Sequence, residues 1–192
     1  MKTGDQDATD DWVARNRAQA KWTRKELVLR VLWAAVSPAF RMSPRIFWGW
    51  RRLLLRSFGA KVGAEAQIYP SVRITIPWNL ELGPQCAVGD RVILYALGPI
   101  TIGARATVSQ GAHLCAGTHD LSDPSRPLLK PPIRIGEDAW ICADAFIGPG
   151  VTVGRAAIVG ARAVAMRNVA EQTTVVGNPA RAIERKPNVQ TR

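Results

Sequence analysis

The sequence is poor in cysteine and histidine. Its three cysteines, Cys86, Cys115 and Cys142, are an odd number and lack the spacing of metal ligands. We therefore expect reduced thiols in a cytoplasmic protein rather than a disulfide framework. Only two histidines occur, His113 and His119, which argues against a histidine-rich metal centre.

Long apolar runs are also missing. The beginning of the chain, MKTGDQDATDDW, is acidic and polar, so we expect no secretory signal. The longest apolar stretch, Leu27 to Val36, is ten residues long and contains Arg30. A membrane-spanning helix needs about 20 apolar residues, so the sequence predicts no transmembrane segment.

Positive charge is concentrated near the N-terminus. The formal charge is −3 over residues 1–11, +11 over residues 12–61 and +3 over residues 62–192. Apolar residues in the basic segment recur at helical spacing, and a second helix is predicted from Pro44 to Phe58. The residues with that spacing are Trp22, Leu29, Leu32, Trp33 and Val36.

Two interpretations of the basic segment remain open. Its helices could cap the rest of the protein with their apolar stripe. Alternatively, basic residues interleaved with tryptophan and leucine suit a helix at an anionic membrane surface, and the protein would then be peripheral on the inner face of the membrane. Nucleic-acid binding is less favoured, because no recognition motif accompanies the charge.

From Val62 onward the chain repeats with a period of six. The hexads are VGAEAQ, IYPSVR, ITIPWN, LGPQCA, VGDRVI, LYALGP, IGARAT, VSQGAH, LCAGTH and, after an interruption, IGEDAW, ICADAF, IGPGVT, VGRAAI, VGARAV and AMRNVA. The first position is Val, Ile or Leu in fourteen of the fifteen hexads, with Ala165 as the exception. A helix would repeat every ~3.6 residues and an ordinary strand about every two. This period therefore predicts a β-solenoid.

Three hexads form one triangular coil, with the aliphatic first residue inside and the small fifth residue at the corner. The predicted coils are 62–81, 82–101, 102–119, 135–152 and 153–170. We accordingly divide the chain into an acidic tail at 1–11, a basic helical segment at 12–61, a β-helix domain at 62–170 and a C-terminal segment at 171–192.

A fifteen-residue insertion, 120–134, interrupts the repeat directly after His119. Long loops in compact domains are more often functional than accidental. The sixth position of each hexad is expected to face outward, and much of what it carries is apolar or aromatic. These outward residues include His113, His119, Trp140, Phe146, Ile158 and Val164. A monomer seldom exposes so much apolar surface, so we expect other subunits or a ligand to cover a face.

The chain resembles the hexapeptide-repeat acetyltransferases of the maltose and galactoside acetyltransferase type. The resemblance spans roughly residues 27–186. It is carried by GTHD, by PIRIGEDAWICADAFIGPGVTVGRAAIVGARAVAMRNV and by VVGNPAR. More narrowly, SPRIFWGWRRLLLRSFGAKVG, YPSVRITIPWNLELG and THDLSDPSRPL are similar to colanic acid biosynthesis acetyltransferases. The resemblance implies a left-handed parallel β-helix, an exception to right-handed crossovers, and a homotrimer with active sites between subunits.

The resemblance also implies that His119 is the catalytic base. It would take the proton from an acceptor hydroxyl that attacks the thioester of acetyl-CoA, a task that suits imidazole near neutral pH. No nucleophilic residue is needed, so direct transfer in a ternary complex is expected. For His113 a structural role is preferred, and Asp120 and Asp123 are candidates to orient His119 or bind acceptor hydroxyls.

For acetyl-CoA, the family pattern indicates the groove near coils four and five. Trp140 matches the tryptophan along that groove, and Ala143 and Ala161 match positions whose backbone binds the pantetheine amides. The family's Thr-Lys-Asp appears here as Met166-Arg167-Asn168, which keeps a cation at Arg167. Phosphate contacts are expected from cations after the last coil. These are Arg181 and Arg185, with Lys186 close by.

The predicted function is O-acetylation of a saccharide hydroxyl, on a free or lipid-linked glycan, in exopolysaccharide or capsule biosynthesis. A γ-class carbonic anhydrase shares the solenoid, but zinc hydrolysis there needs three histidines at one centre. A non-catalytic trimeric scaffold at a membrane surface remains the alternative. A scaffold would not require a histidine beside a loop or cations after the last coil.

Overall fold

The computed structural model describes residues 12, 14 and 16–184. Helices α1 (Arg24–Arg41) and α2 (Trp48–Ser57) precede a series of short strands. The strands are β1 (Lys61–Val62), β2 (Gln67–Ile68), β3 (Arg73–Ile74), β4 (Leu80–Leu82), β5 (Ala87–Val88), β6 (Ile93–Tyr95), β7 (Ile100–Ile102), β8 (Thr107–Val108), β9 (His113–Cys115), β10 (Thr118–His119), β11 (Leu128–Leu129), β12 (Ile133–Ile135), β13 (Trp140–Ile141), β14 (Phe146–Ile147), β15 (Thr152–Val153), β16 (Ile158–Val159), β17 (Val164–Ala165), β18 (Thr174–Val176) and β19 (Arg181–Ile183).

Most strands stack into three parallel sheets that form the faces of a β-helix. Sheet A contains β1, β4, β7, β12 and β15, and sheet C contains β3, β6, β9, β14 and β17. Sheet B contains β2, β5, β8, β13, β16 and β18, with β19 added antiparallel to β18. Each coil places one strand in each sheet, so equivalent hexads pair in register. The prediction of a parallel β-helix is confirmed.

The hexad pattern explains the interior of the β-helix. Of the fifteen first-position residues, Ile74 alone is not buried. Full burial of a Val, Leu or Ile side chain contributes about 1.5–3 kcal/mol relative to its exposure, so the column of aliphatic residues is the main source of stability. Glycine follows many of them because successive corners touch: a Cβ added at Gly103 would lie 2.6 Å from the backbone nitrogen of Glu137.

Helix α1 begins at a capping box, in which the Thr23 hydroxyl and the Glu26 carboxylate each accept a hydrogen bond from the other residue's backbone N–H. One of its faces covers the first coil. Trp33 is buried there and donates from Nε1 to the carbonyl of Ile74 at 2.8 Å. Phe40 is buried beside it. The segment therefore does cap the β-helix, as one of the two interpretations predicted.

Helix α2 begins at Trp48, four residues later than the predicted Pro44. Residues 44–47 form a turn instead, in which the Pro44 carbonyl accepts from the backbone N–H of Phe47 at 3.0 Å. The side chain of Arg51, which is completely buried, holds this turn against the first coil. Its guanidinium donates to the carbonyls of Pro44, Arg45 and Ile68 at 2.8, 2.6 and 2.6 Å.

Two boundaries in the β-helix differ from the prediction. The insertion contains its own hairpin, because β10 pairs antiparallel with β11, and the coil resumes at Ile133 rather than at residue 135. Beyond residue 170, β18 continues sheet B by pairing with β16. A partial sixth coil thus begins where the repeat pattern ends. In the part of the chain described here, no helix is both long and apolar enough to cross a bilayer.

Candidate active site

His119 lies on β10, where the chain leaves sheet C and enters the insertion. Its side chain is exposed, and its Nδ1 lies 2.7 Å from the backbone carbonyl oxygen of Arg126. A carbonyl oxygen can only accept, so Nδ1 carries the hydrogen and the lone pair of the neutral ring is on Nε2. The insertion thereby fixes the tautomer that leaves Nε2 able to accept a proton.

A cavity of about 770 Å³ adjoins His119. Its walls come from the insertion, including Asp123 and Arg126, and from the N-terminal segment, including Trp12, Asn16 and Arg17. That volume lies in the usual range for a small-molecule site. The lining thus includes an indole, two arginine side chains and a carboxylate beside the imidazole.

The two aspartates of the insertion are held by local turns. The Asp120 carboxylate accepts from the N–H and hydroxyl of Ser122 at 2.9 and 2.6 Å. These hydrogen bonds lower the pKa of Asp120. Asp123 accepts from the backbone N–H of Ser125 at 2.8 Å and lines the cavity. The His119 ring is held by the carbonyl of Arg126 rather than by either aspartate, and Asp123 lines the cavity beside it.

His113 has a different setting, on the outer surface of sheet C. Its ring makes edge contacts with Phe146 and Tyr95, with centroids 5.2 and 6.4 Å away. Burial lowers the pKa of His113, and its buried Nε2 has no hydrogen-bond partner among the described residues. This environment favours a neutral, packed imidazole.

The predicted coenzyme residues lie along sheet B and its corner. Trp140 is 50% exposed and donates from Nε1 to the hydroxyl of Ser109 at 2.9 Å. Ala143 and Ala161 occupy the same corner in successive coils, and the Ala143 carbonyl accepts from the backbone N–H of Arg162 at 2.9 Å. The indole face is therefore open beside a row of backbone groups.

The predicted phosphate-binding cations are exposed. Arg167 follows β17 at the corner between sheets C and A, and Arg181 lies on β19. Arg185 and Lys186 lie outside the described residues. No group of three or more metal-ligating side chains occurs within the described ranges.

Sequence comparison identifies the family. Over 158 residues, 82% of this chain, the sequence is 43% identical to "Putative colanic acid biosynthesis acetyltransferase WcaF" of Escherichia coli, of which 87% is covered. The chain belongs to the hexapeptide-repeat acetyltransferases. No protein-family model matches it.

Solved acetyltransferases share the fold. A maltose O-acetyltransferase from Clostridium difficile matches with a TM-score of 0.77 and 21% identity, over 86% of this chain and 90% of that one. A hexapeptide-repeat acetyltransferase from Vibrio cholerae, solved in complex with acetyl-CoA, matches with a TM-score of 0.77 and 23% identity, over 84% and 89% of the two chains.

In this acetyltransferase chain the predicted base and the residues predicted for the pantetheine arm form two groups, and Arg167 lies at the same corner as the base. His119 and Asp123 share the cavity at the corner between sheets C and A. Trp140, Ala143 and Ala161 lie on sheet B and its far corner. A single subunit therefore does not bring the candidate base to the candidate coenzyme groove.

Two parts of the site could not be predicted from the sequence. One is the carbonyl of Arg126, because every residue has a backbone carbonyl and no residue type marks the one that is used. The other is Asn16, whose amide donates to the carbonyls of Ser125 and Arg126, the latter at 2.9 Å. The turn residues and leucines of the insertion could have indicated a hairpin. Nothing in the sequence links Ser125 of that hairpin to Asn16, which lies 109 positions earlier.

Proposed function

We propose that this protein is an acetyl-CoA-dependent O-acetyltransferase that acts on a saccharide hydroxyl in exopolysaccharide or capsule biosynthesis. One observation carries the proposal: the carbonyl of Arg126 holds Nδ1 of His119 and leaves Nε2 as the basic nitrogen beside a cavity. The family relationship supports acetyl-CoA as the acetyl donor, and the name of the E. coli relative supports a polysaccharide acceptor.

In the proposed reaction, Nε2 of His119 accepts the proton of the acceptor hydroxyl while its oxygen attacks the acetyl carbonyl of the thioester. The carbon–sulfur bond then breaks, and the imidazolium returns the proton to the departing thiolate. The Arg126 carbonyl stabilises the imidazolium by keeping its hydrogen bond to Nδ1–H. General-base catalysis of this kind accelerates a reaction about 10²–10⁴-fold.

Direct transfer in a ternary complex needs no cysteine nucleophile, and two of the three cysteines are poorly suited to be one. Burial raises the pKa of Cys86 to about 12 and also raises the pKa of Cys142. A nucleophilic cysteine acts as its thiolate, and burial disfavours the thiolate at both positions.

We assign acetyl-CoA to the groove on sheet B. The exposed ring of Trp140 is suited to pack along the pantetheine arm, and backbone groups at Ala143 and Ala161 are suited to bind its amides. Arg181, on β19 of the same sheet, and Arg185 supply cations for the phosphates. Arg167, at the corner between sheets C and A, would reach the coenzyme of a neighbouring subunit's groove. Since this groove and His119 lie on different sides of one subunit, the proposal requires a neighbouring subunit to complete each site.

Sheet C is the surface that we assign to the homotrimer. After Arg73 in the first coil, its outward column is largely apolar, with Ile93, His113, Phe146 and Val164 in register. The equivalent column on sheet A is polar and contains Lys61, Glu81, Thr101, Arg134 and Thr152.

We further propose that the helical cap contacts anionic membrane while it covers the first coil. The outer face of α1 exposes Leu27, Val28, Val31 and Leu32, with Val31 69% exposed. Arg24 and Lys25 are exposed beside them. An apolar stripe bordered by cations is typical of interfacial helices, and this placement would bring the enzyme close to lipid-linked acceptors.

The direct test is acetyl transfer from acetyl-CoA to a panel of neutral and acidic mono- and disaccharides and to a lipid-linked glycan. A thiol reagent follows the release of CoA, and mass spectrometry identifies the acetylated product. The proposal predicts CoA release that depends on at least one acceptor. Binding of neither acetyl-CoA nor any acceptor would favour the scaffold alternative.

A further inference from the structure

The N-terminal residues 16–22, here called the strap, lie across the hairpin that carries His119. The Asn16 amide donates to the carbonyls of Ser125 and Arg126 near the hairpin's turn. The side-chain oxygen Oδ1 of Asn16 accepts from the ammonium of Lys21 at 2.8 Å. Both polar atoms of the Asn16 side-chain amide are therefore hydrogen-bonded.

A second contact fixes the strap at the base of the hairpin. The Lys130 ammonium donates to the backbone carbonyl of Lys21 at 3.0 Å and lies 3.6 Å from the ring centre of Trp22. The guanidinium of Arg30, on α1, also lies over this ring at 4.4 Å. Two cation–π contacts on one indole therefore connect the hairpin to α1 through the strap.

The strap and the His119 imidazole donate hydrogen bonds to the same oxygen atom. The carbonyl oxygen of Arg126 accepts from Asn16 at 2.9 Å and from Nδ1 of His119 at 2.7 Å. A carbonyl oxygen has two lone pairs, and these two donors use both. The direction of the carbonyl, and hence the orientation of the imidazole, depends on Asn16 as well as on the hairpin.

We propose that Asn16 is a positioning residue for His119 and that the strap holds the hairpin in its active arrangement. The inference rests on the proposed role of His119 as general base. Asn16 acts through the Arg126 carbonyl and need not touch either substrate. Its loss leaves both substrate sites formed but lets the imidazole turn away from the acceptor.

The test compares Asn16→Leu, which keeps the size of the side chain and removes its hydrogen bonds, with Gln19→Ala as the matched control. Gln19 is an exposed amide on the same strap with no side-chain hydrogen bond among the described residues. With the best acceptor of the panel, we expect Asn16→Leu to lower kcat about tenfold, a loss of ~1.4 kcal/mol. The KM values for acetyl-CoA and acceptor should change less than about twofold, and Gln19→Ala should match the wild type.

Amide hydrogen exchange gives a readout that needs no acceptor. Exchange across 118–129 should be faster in Asn16→Leu than in Gln19→Ala, with coils four and five unchanged. Lys130→Met, which removes the second contact, should act in the same direction and serves if Asn16→Leu does not fold. Equal kcat and equal exchange in variant and control would overturn the inference. An inactive wild type with strap-dependent exchange would instead contradict only the proposed function.

Discussion

The backbone carbonyl of Arg126 accepts a hydrogen bond from Nδ1 of His119 at 2.7 Å. This contact depends on the interruption of the hexapeptide repeat directly after His119. The coil ends there, the insertion folds back as the β10–β11 hairpin, and its turn orients the imidazole. An uninterrupted coil would have placed another hexad there and left the histidine without this acceptor.

The trimer is tested by the mass of the protein in solution. We expect light scattering to give about three times the subunit mass of 20.9 kDa. Phe146→Asp places a charge in the apolar column of sheet C and should lower the mass, because a buried unpaired charge is costly. Thr101→Asp, on the polar column of sheet A, is the control. A monomeric wild type at micromolar concentration would contradict both the interface and the shared site.

Membrane contact is tested by sedimentation with vesicles of phosphatidylcholine alone or with phosphatidylserine. Each basic residue near an anionic surface contributes about 1 kcal/mol, and salt screens it. We expect binding to the anionic vesicles at low salt, weaker binding at moderate salt, and at least about fivefold weaker binding for Val31→Asp. Thr101→Asp makes the same charge change away from the cap and should bind normally. If no anionic lipid dependence appears at low salt, the helices serve only as a cap.

The stability of the cap depends on Arg51. Arg51→Met removes the guanidinium donor from the carbonyls of Arg45 and Ile68, and each unsatisfied group costs about 1–3 kcal/mol. The carbonyl of Pro44 keeps its hydrogen bond from the N–H of Phe47. We expect the free energy of unfolding to fall by roughly 3 kcal/mol or more in urea denaturation. Arg41→Met, at an exposed position of α1, should change it by less than about 0.5 kcal/mol. A similar small effect at position 51 would show that the buried guanidinium is dispensable.

Most of the fold could be predicted from the sequence because each hexad determines which of its residues face the interior of the coil. An aliphatic residue every six positions specifies the interior of each coil directly. The N-terminal helices have no such repeat, so their helical spacing left the capping and membrane interpretations both open. The net charge of the segment suggested a basic surface that includes Arg51, but Arg51 is completely buried. Arg56 likewise bonds within the protein, since it donates to the carbonyl of Val62.

The candidate site was only partly predictable for a similar reason. His119 and Trp140 could be predicted as site residues, because each is a distinctive residue at a fixed position of a sequence motif. The orienting carbonyl of Arg126 and its second donor Asn16 depend on tertiary contacts, and these have no sequence periodicity. The stretches of the insertion and of residues 171–192 that form strands lie outside the repeat, and there only pairing with neighbours decides structure.

His113 should make stability depend on pH. Its ring faces Tyr95 and Phe146, and burial lowers its pKa in the folded protein. The unfolded chain then binds the proton more readily, so the contribution is full above the unfolded pKa of about 6.5 and is lost as pH falls through the folded value. His113→Phe should reduce the slope of Tm against pH below about 6.5. An unchanged slope would mean that other groups cause it.

The proposed role of His119 is tested most directly by the rate of acetyl transfer in His119→Ala, with His113→Ala measured beside it. Loss of a general base predicts a fall in kcat of at least about a hundredfold for His119→Ala. Its mass in solution and its affinity for acetyl-CoA should stay close to the wild-type values, and His113→Ala should retain most of its activity. Transfer that survives in His119→Ala and disappears in His113→Ala would contradict the account.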